Sequence, residues 1–200
     1  MTKLLRDNIQ GITNAAIQRL AYTAGITTMT ADSYEEIRGV LKAKMENVLR
    51  KIIIYLEYYH KITIDEYMVA AAINPKMWSS EPKAKSCGIK TKSPSKVSRS
   101  RRKKKSAGYN ALSQIKFYQR RSDCLNIPML PFSRFAREVT QDYKTDVKFT
   151  KNAMILLQYS MEQYMIDILK KSLKNTIYAN RIRVEPKDIN IAYKYVNNDF

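Results

Sequence analysis

The sequence predicts an all-α chain made of two similar helical halves. Three observations carry this. Apolar residues recur at spacings of three and four over long uninterrupted stretches, which marks helices with one buried face. An order of short, long and short helix occurs twice, which marks an internal structural repeat. Between the two occurrences lies a stretch of Lys, Ser, Arg and Pro with almost no apolar content. Such a stretch cannot offset its ordering entropy by burial and is expected to be flexible. The expected organisation is a first unit at residues 1–76, a basic linker at 77–108, and a second unit at 109–200 with an additional helix at its start.

In the first unit a short amphipathic helix is expected around 14–24, ended near Gly25. The long helix begins at Asp32-Ser-Tyr-Glu-Glu36, where Asp32 can cap and Glu35 can reach back to the cap backbone. Its apolar stripe runs through Tyr34, Ile37, Val40, Leu41, Met45, Val48, Leu49, Ile52, Tyr55, Leu56 and Tyr59, with Arg38, Lys42, Glu46 and Arg50 expected off it. No Pro interrupts it before about residue 60, so it spans about 28 residues and about 40 Å. A helix of that length in so small a unit cannot cover its stripe with its own short neighbours, and needs a partner. A further short helix is expected at 65–73, before Pro75.

The second unit repeats the plan. An extra helix is expected at 110–121. Leu130-Pro131-Phe132 opens a short helix with Pro131 in its first turn. A long helix follows at 151–179, with Ala153, Leu156, Leu157, Ser160, Tyr164, Ile168 and Leu169 on its stripe, and Pro186 opens the last helix. The connections at 25–31, 60–64, 145–150 and 180–185 are short and rich in β-branched residues, suited to brief extended pairing between the units.

Of 200 residues, 36 are Lys or Arg and 18 are Asp or Glu, a formal net charge of +18. Residues 1–76 carry +2, residues 77–108 carry +10 and residues 109–200 carry +6. An excess of that size implies an anionic partner. The longest apolar runs are far too short to span a bilayer, and the first residues have no apolar core of a secretory signal. Two cysteines, Cys87 and Cys124, form no disulfide framework. A soluble protein of a reducing compartment is expected. Catalysis is not: the single histidine, His60, stands without a nucleophile or metal spacing, and there is no Gly-rich phosphate loop. No cofactor is expected.

Longer motifs give the chain a resemblance. Arg6-Asp-Asn-Ile-Gln-Gly-Ile-Thr13, Tyr34-Glu-Glu-Ile-Arg-Gly-Val-Leu-Lys42 and Glu46-Asn-Val-Leu-Arg50 closely resemble core histone four, without gaps, over residues 4–73. Leu130-Pro-Phe-Ser-Arg-Phe-Ala-Arg-Glu-Val-Thr-Gln-Asp-Tyr-Lys-Thr-Asp146 and Pro186-Lys-Asp-Ile189 closely resemble core histone three, over residues 108–196. Two histones in this order, joined by a basic linker, look like the histone doublets of giant DNA viruses of the Marseillevirus type. The resemblance implies two histone folds paired in an intramolecular handshake, with paired loops and helix starts forming a ramp for DNA. It also implies a virion and viral-factory location, or the host nucleus.

Position by position, the resemblance implies DNA contacts through phosphates and the minor groove, without base readout. In the first half these are Arg19, Thr27, Thr28, Lys61 and Thr63. In the second they are Arg134, Arg137, Lys148, Phe149, Thr150, Arg181, Arg183 and Val184, with Lys116, Arg120 and Arg121 of the extra helix toward DNA ends. The run Arg99, Arg101, Arg102, Lys103, Lys104 and Lys105 sits where the tail of histone three lies, which implies contact with DNA. The same run also reads as a solubilising spacer or a nuclear-localisation patch. Thr28 and Lys148 stand where the family uses arginines, and Gln18, Tyr22 and Thr23 replace basic positions, so looser or shorter wrapping is expected. With only residues 1–5 before Arg6, the glycine- and lysine-rich tail that precedes histone four is expected to be missing, and any regulation that depends on it absent. Any single surface Lys or Arg is as readily a solvated charge as a ligand; the set, within these motifs, favours DNA.

For assembly, the resemblance implies self-association through Tyr178, Arg181, Asp188 and Ile191, with Arg181 and Asp188 paired across the dyad. It implies a companion-histone interface at Tyr55, Tyr58 and Met68, the companion being a doublet similar to the other two core histones. Asn175 and Tyr178 replace the Cys and His of many histone-three chains, which removes the ligands of the copper chemistry proposed there. The rival reading is a histone-fold scaffold of a transcription or kinetochore-type complex that binds proteins without wrapping DNA. Such scaffolds diverge from the core-histone motifs, which here run nearly unbroken.

Overall fold

A computed structural model describes residues 8–73, 107–121 and 125–197. Most of the linker, including Arg99, Arg101, Arg102, Lys103, Lys104 and Lys105, lies outside the described residues. The first half comprises a 3-10 turn Asn8–Gly11, α1 Asn14–Ala24, β1 Thr28–Met29, α2 Ala31–Tyr58, β2 Thr63–Ile64 and α3 Glu66–Ile73. The second comprises α4 Ala107–Gln119, α5 Met129–Gln141, β3 Lys148–Phe149, α6 Lys151–Tyr178, β4 Arg183–Val184 and α7 Pro186–Asn197. The fold is all-α, apart from four two-residue strands among the described residues.

The repeat is register-true. Ala31 and Lys151, Thr63 and Arg183, and Glu66 and Pro186 each stand 120 positions apart, and both long helices have 28 residues. Even the backbone after each long helix repeats: His60 has φ 51° and Asn180 has φ 54°. Left-handed residues of this kind reverse a chain at a helix end.

Local signals explain most boundaries. Thr13 caps α1 by accepting a hydrogen bond from the Ala16 amide at 3.4 Å, and Gly25, at φ 97°, closes it. Thr150 caps α6 by accepting from the Ala153 amide at 3.2 Å. The start of α2 corrects the expectation: Thr30, not Asp32, is the cap residue, and Asp32 lies inside the first turn. The Thr30 and Ser33 hydroxyls bond to each other at 2.7 Å instead. Helix α4 begins at Ala107 and ends at Gln119, so Arg120 and Arg121 follow it rather than lie within it.

The two halves share one core. Leu41, Met45, Leu49, Ile52 and Leu56 of α2 lie in the same apolar cluster as Leu157, Met161, Met165 and Leu169 of α6. Helix α2 packs against α5, α6 and α7, while α6 packs against α1 and α3. Each long helix therefore covers its stripe with elements of the other half as well as with its own half's last helix, α3 or α7. The loops pair in parallel, β1 with β4 and β2 with β3, matching Thr28 to Arg183 and Thr63 to Lys148. The Thr30 amide donates to Val184 O at 3.2 Å, and the Thr150 amide to Ile64 O at 3.1 Å, which extends each short pairing into the next helix start. This is the intramolecular handshake.

Arg38 departs from the expected pattern. It is 5% exposed, inside the stripe rather than off it. Its Nε and Nη2 donate to Ile12 O at 3.0 and 2.9 Å, Nη1 pairs with Glu35 at 2.7 Å, and Nη2 also reaches Asn14. Burying a cation is tolerable when its donors are satisfied in this way. Tyr59 departs in the other direction: it is exposed, beyond the end of the stripe.

Candidate nucleic-acid interface

The residues expected at DNA fall into three groups. At the β1·β4 pair, Thr28 and Arg183 are exposed and directly paired in register, with Thr27 beside them. At the β2·β3 pair, Thr63 is matched to the exposed Lys148, with Lys61 two residues before it. The first short helix of each half supplies the third group, with Arg134 and Arg137 exposed one turn apart on α5 and Arg19 on α1.

Adjoining the two loop pairs are the N-termini of α2 and α6, at Thr30 and Thr150. Free first-turn amides and the helix dipole attract phosphate at such sites. Loop cations beside a helix start are chemically suited to hold a polyanion backbone without reading bases.

Several expected contacts are already committed within the chain. Arg19 Nη1 donates to Asn126 O at 2.9 Å, tying the two halves together. Lys61 pairs with Asp65 at 3.1 Å, although both are substantially exposed, so the pair is weak and readily exchanged for a phosphate. Phe149 is half-buried against the core, and the Val184 side chain is fully buried. Val184 accepts from Ser33 Oγ at 3.1 Å through its backbone carbonyl, so its side chain is not available to DNA and its carbonyl is engaged. Lys116, Arg120 and Arg121 are exposed, and Arg121 stacks over the Phe117 ring at 4.8 Å.

Arg181 and Asp188 meet inside one half: Arg181 Nη2 lies 2.7 Å from Asp188 Oδ1, and Nη1 lies 2.8 Å from Glu185. Asp188, 2% exposed, also accepts from the Glu185 amide and Thr176 Oγ1, each at 3.1 Å. Burial pushes its carboxyl up, but hydrogen bonds from Arg181, the Glu185 amide and Thr176 outweigh this, leaving it below the ordinary range. Two carboxylates thus neutralise Arg181, and the pair pins the loop before α7 to that helix's first turn.

Met68 requires a correction. It is 4% exposed and part of the chain's own core, so it is not presented to a companion. Tyr55 is half-buried against the core, while Tyr58 is 77% exposed and Tyr178 84% exposed. Ile191 is exposed.

Sequence reading passed over Ile62 and Ile182, 60% and 81% exposed and 120 positions apart. The register of the repeat, applied to exposed rather than buried residues, is the signal that finds them. It also passed over the buried Glu162 carboxylate, which accepts from the Asn126 and Ile127 amides at 2.8 and 3.0 Å and from Gln158 Nε2 at 3.0 Å. Burial pushes Glu162 above the ordinary carboxylate value, and those hydrogen bonds oppose the shift.

Residues 107–195 match the family model of the core histone domain, the one that covers all four types of core histone. The second half is thus similar to the core histone domain. The histone fold is a structural, DNA-binding and pairing module rather than a catalytic one, and here its pairing partner is the first half of the same chain. Among the described residues no helix is long and apolar enough to cross a membrane.

Proposed function

We propose that this chain is a viral core histone doublet that binds double-stranded DNA without sequence preference, wraps it into nucleosome-like particles and so compacts a viral genome. In this reading the first half plays the part of core histone four and the second that of core histone three. The observation that carries it is the conjunction of a domain similar to the core histone domain with a self-supplied partner, joined at two loop pairs that carry Arg183 and Lys148 beside helix N-termini. Counterion release from phosphates supplies the affinity, so binding weakens steeply with salt. The +10 of residues 77–108 supplies general attraction, with Arg99, Arg101, Arg102, Lys103, Lys104 and Lys105 on the DNA, while Arg134, Arg137, Lys148 and Arg183 set its path.

In the complete particle a second copy docks at Tyr178 and Ile191, and a companion doublet docks at Tyr58. The site of action is the virion and the viral factory of the host cell, or its nucleus. The test is reconstitution with DNA and companion histones, followed by micrococcal nuclease. A discrete protected fragment, shorter than that of a eukaryotic nucleosome, is expected. A smear would favour a histone-fold scaffold that binds proteins without wrapping DNA.

A further inference from the structure

The outer edge of α4 carries a ladder of rings beside three cations. Tyr118 stacks on Tyr22 of α1, with ring centroids 6.0 Å apart and planes at 18°. Phe117 meets Tyr118 at 5.1 Å with planes at 90°, and the Arg121 guanidinium lies 4.8 Å over the Phe117 ring. The edge is held from beneath: Ile115 is buried, and α4 packs along α1. Backbone bonds carry the turn past Gln119, from the Arg120 amide to Lys116 O at 3.3 Å and from the Arg121 amide to Tyr118 O at 3.1 Å. Lys116 and Arg120 therefore share one row of the helix surface, and Phe117 and Arg121 the next. Phe117 is 48% exposed, and Lys116, Arg120 and Arg121 are all exposed. Residues 107–121 contain those three cations and no carboxylate.

A large ring left bare among cations, with no carboxylate in the run, matches a polyanion that has flat apolar surfaces of its own. Duplex DNA offers phosphates to this edge but keeps its bases stacked on one another. Unpaired bases offer both a π-face for Phe117 and a phosphate chain for the Lys116–Arg120 row. We propose that the α4 edge is a stacking site for unpaired bases, through which the chain grips single-stranded tails or frayed ends of DNA, with Phe117 as the platform. Arg121 covers one face of that ring and, being exposed, can turn its donors to a phosphate or stack on the next base. Tyr118 is not the platform: it is partly buried and stacked on Tyr22, and it fixes the angle at which Phe117 is presented. Stacking and charge carry the recognition, so it is indifferent to base sequence. The inference deepens the functional reading, in which these three cations lie toward DNA ends, by adding a ligand that phosphate contacts alone do not select.

The experiment uses the full chain alone and a short duplex carrying a fluorophore. One form of the duplex ends in a single-stranded tail of thymidines. The other ends in an equally long tail of abasic sugar-phosphate units, so charge is equal and only the bases differ. Binding is followed by fluorescence anisotropy at physiological salt. Wild type should hold the thymidine tail about fivefold or more tighter than the abasic one. Phe117→Ala and Phe117→Leu should bring the two affinities together, and Phe117→Trp should keep the preference. The leucine retains an apolar contact for Tyr118, which separates loss of the ring from loss of packing, and circular dichroism checks that each variant folds. Lys116→Ala with Arg120→Ala should weaken both tails and leave their ratio unchanged. Equal affinity of wild type for the two tails would overturn the proposal and leave the ring as a contact for protein. A preference that survives Phe117→Leu would overturn it as well. Loss of nuclease protection in the companion-containing particle, with the thymidine preference intact, would instead break the functional reading.

Discussion

Position 38 of the first long helix and position 158 of the second occupy the same place in the repeat, and both face inward. Arg38 donates to the carbonyl of Ile12, just before α1; Gln158 Nε2 donates to the carbonyl of Ile127, just before α5, at 2.7 Å. Each half thus uses a buried polar side chain from mid-helix to hold the segment leading into its first short helix. The chemistry differs. Arg38 has its donors filled by Ile12, Glu35 and Asn14, whereas Gln158 Oε1 is buried without a partner. The repeat preserves a backbone carbonyl's need for a donor, not the residue that meets it.

The largest effect is expected at Arg38. Arg38→Met should cost about 3 kcal/mol, because it strips the buried Ile12 carbonyl and leaves Asn14 and Glu35 without their cation. Gln158→Leu should cost less, about 1–2 kcal/mol, since it also removes an atom that is already unsatisfied. Urea denaturation of the two variants measures the contrast, and equal losses would erase the distinction. In DNA binding the asymmetry runs the other way, because the expected first-half cations Arg19 and Lys61 are already engaged within the chain. Arg134→Ala with Arg137→Ala should reduce the slope of log affinity against log salt by about 2, whereas Lys61→Ala, already paired with Asp65, should change it by less than about 1.

The smallest effect concerns Glu162, with no acidic counterpart at Lys42. Its raised folded pKa means that the folded state binds a proton before the unfolded chain, whose value is near 4.5. Its contribution to stability therefore grows as pH falls toward that value and is lost as pH rises through the folded pKa. Glu162→Gln should flatten that part of the stability–pH curve.

Periodicity made the long helices legible, and Gly25 and Pro186 marked boundaries because their backbone preferences act locally. The handshake was legible because a 28-residue stripe cannot be covered by an 11-residue and an 8-residue neighbour. What sequence pattern missed depends on contacts distant in the chain. Arg38 looks like a solvent residue until Ile12 lies beneath it. Thr30 outcompetes Asp32 as cap because it is anchored to β4 through Val184. Met68 was named by resemblance at a companion interface, yet α3 packs on α6 and Met68 is buried. The intrachain bond between Arg181 and Asp188 likewise depends on how the loop before α7 folds back on that helix.

Both the shared core and the ramp of loop cations require the two halves to pair, and the fold places that pairing within one molecule. Chains labelled with light and heavy nitrogen, mixed while unfolded, refolded together at low concentration and treated with an amine crosslinker, test this through Lys61 and Lys148, which flank the β2·β3 pair. Crosslinked Lys61–Lys148 peptides should be light–light or heavy–heavy. Mixed-label peptides making up half of the total would show instead that the halves exchange between chains.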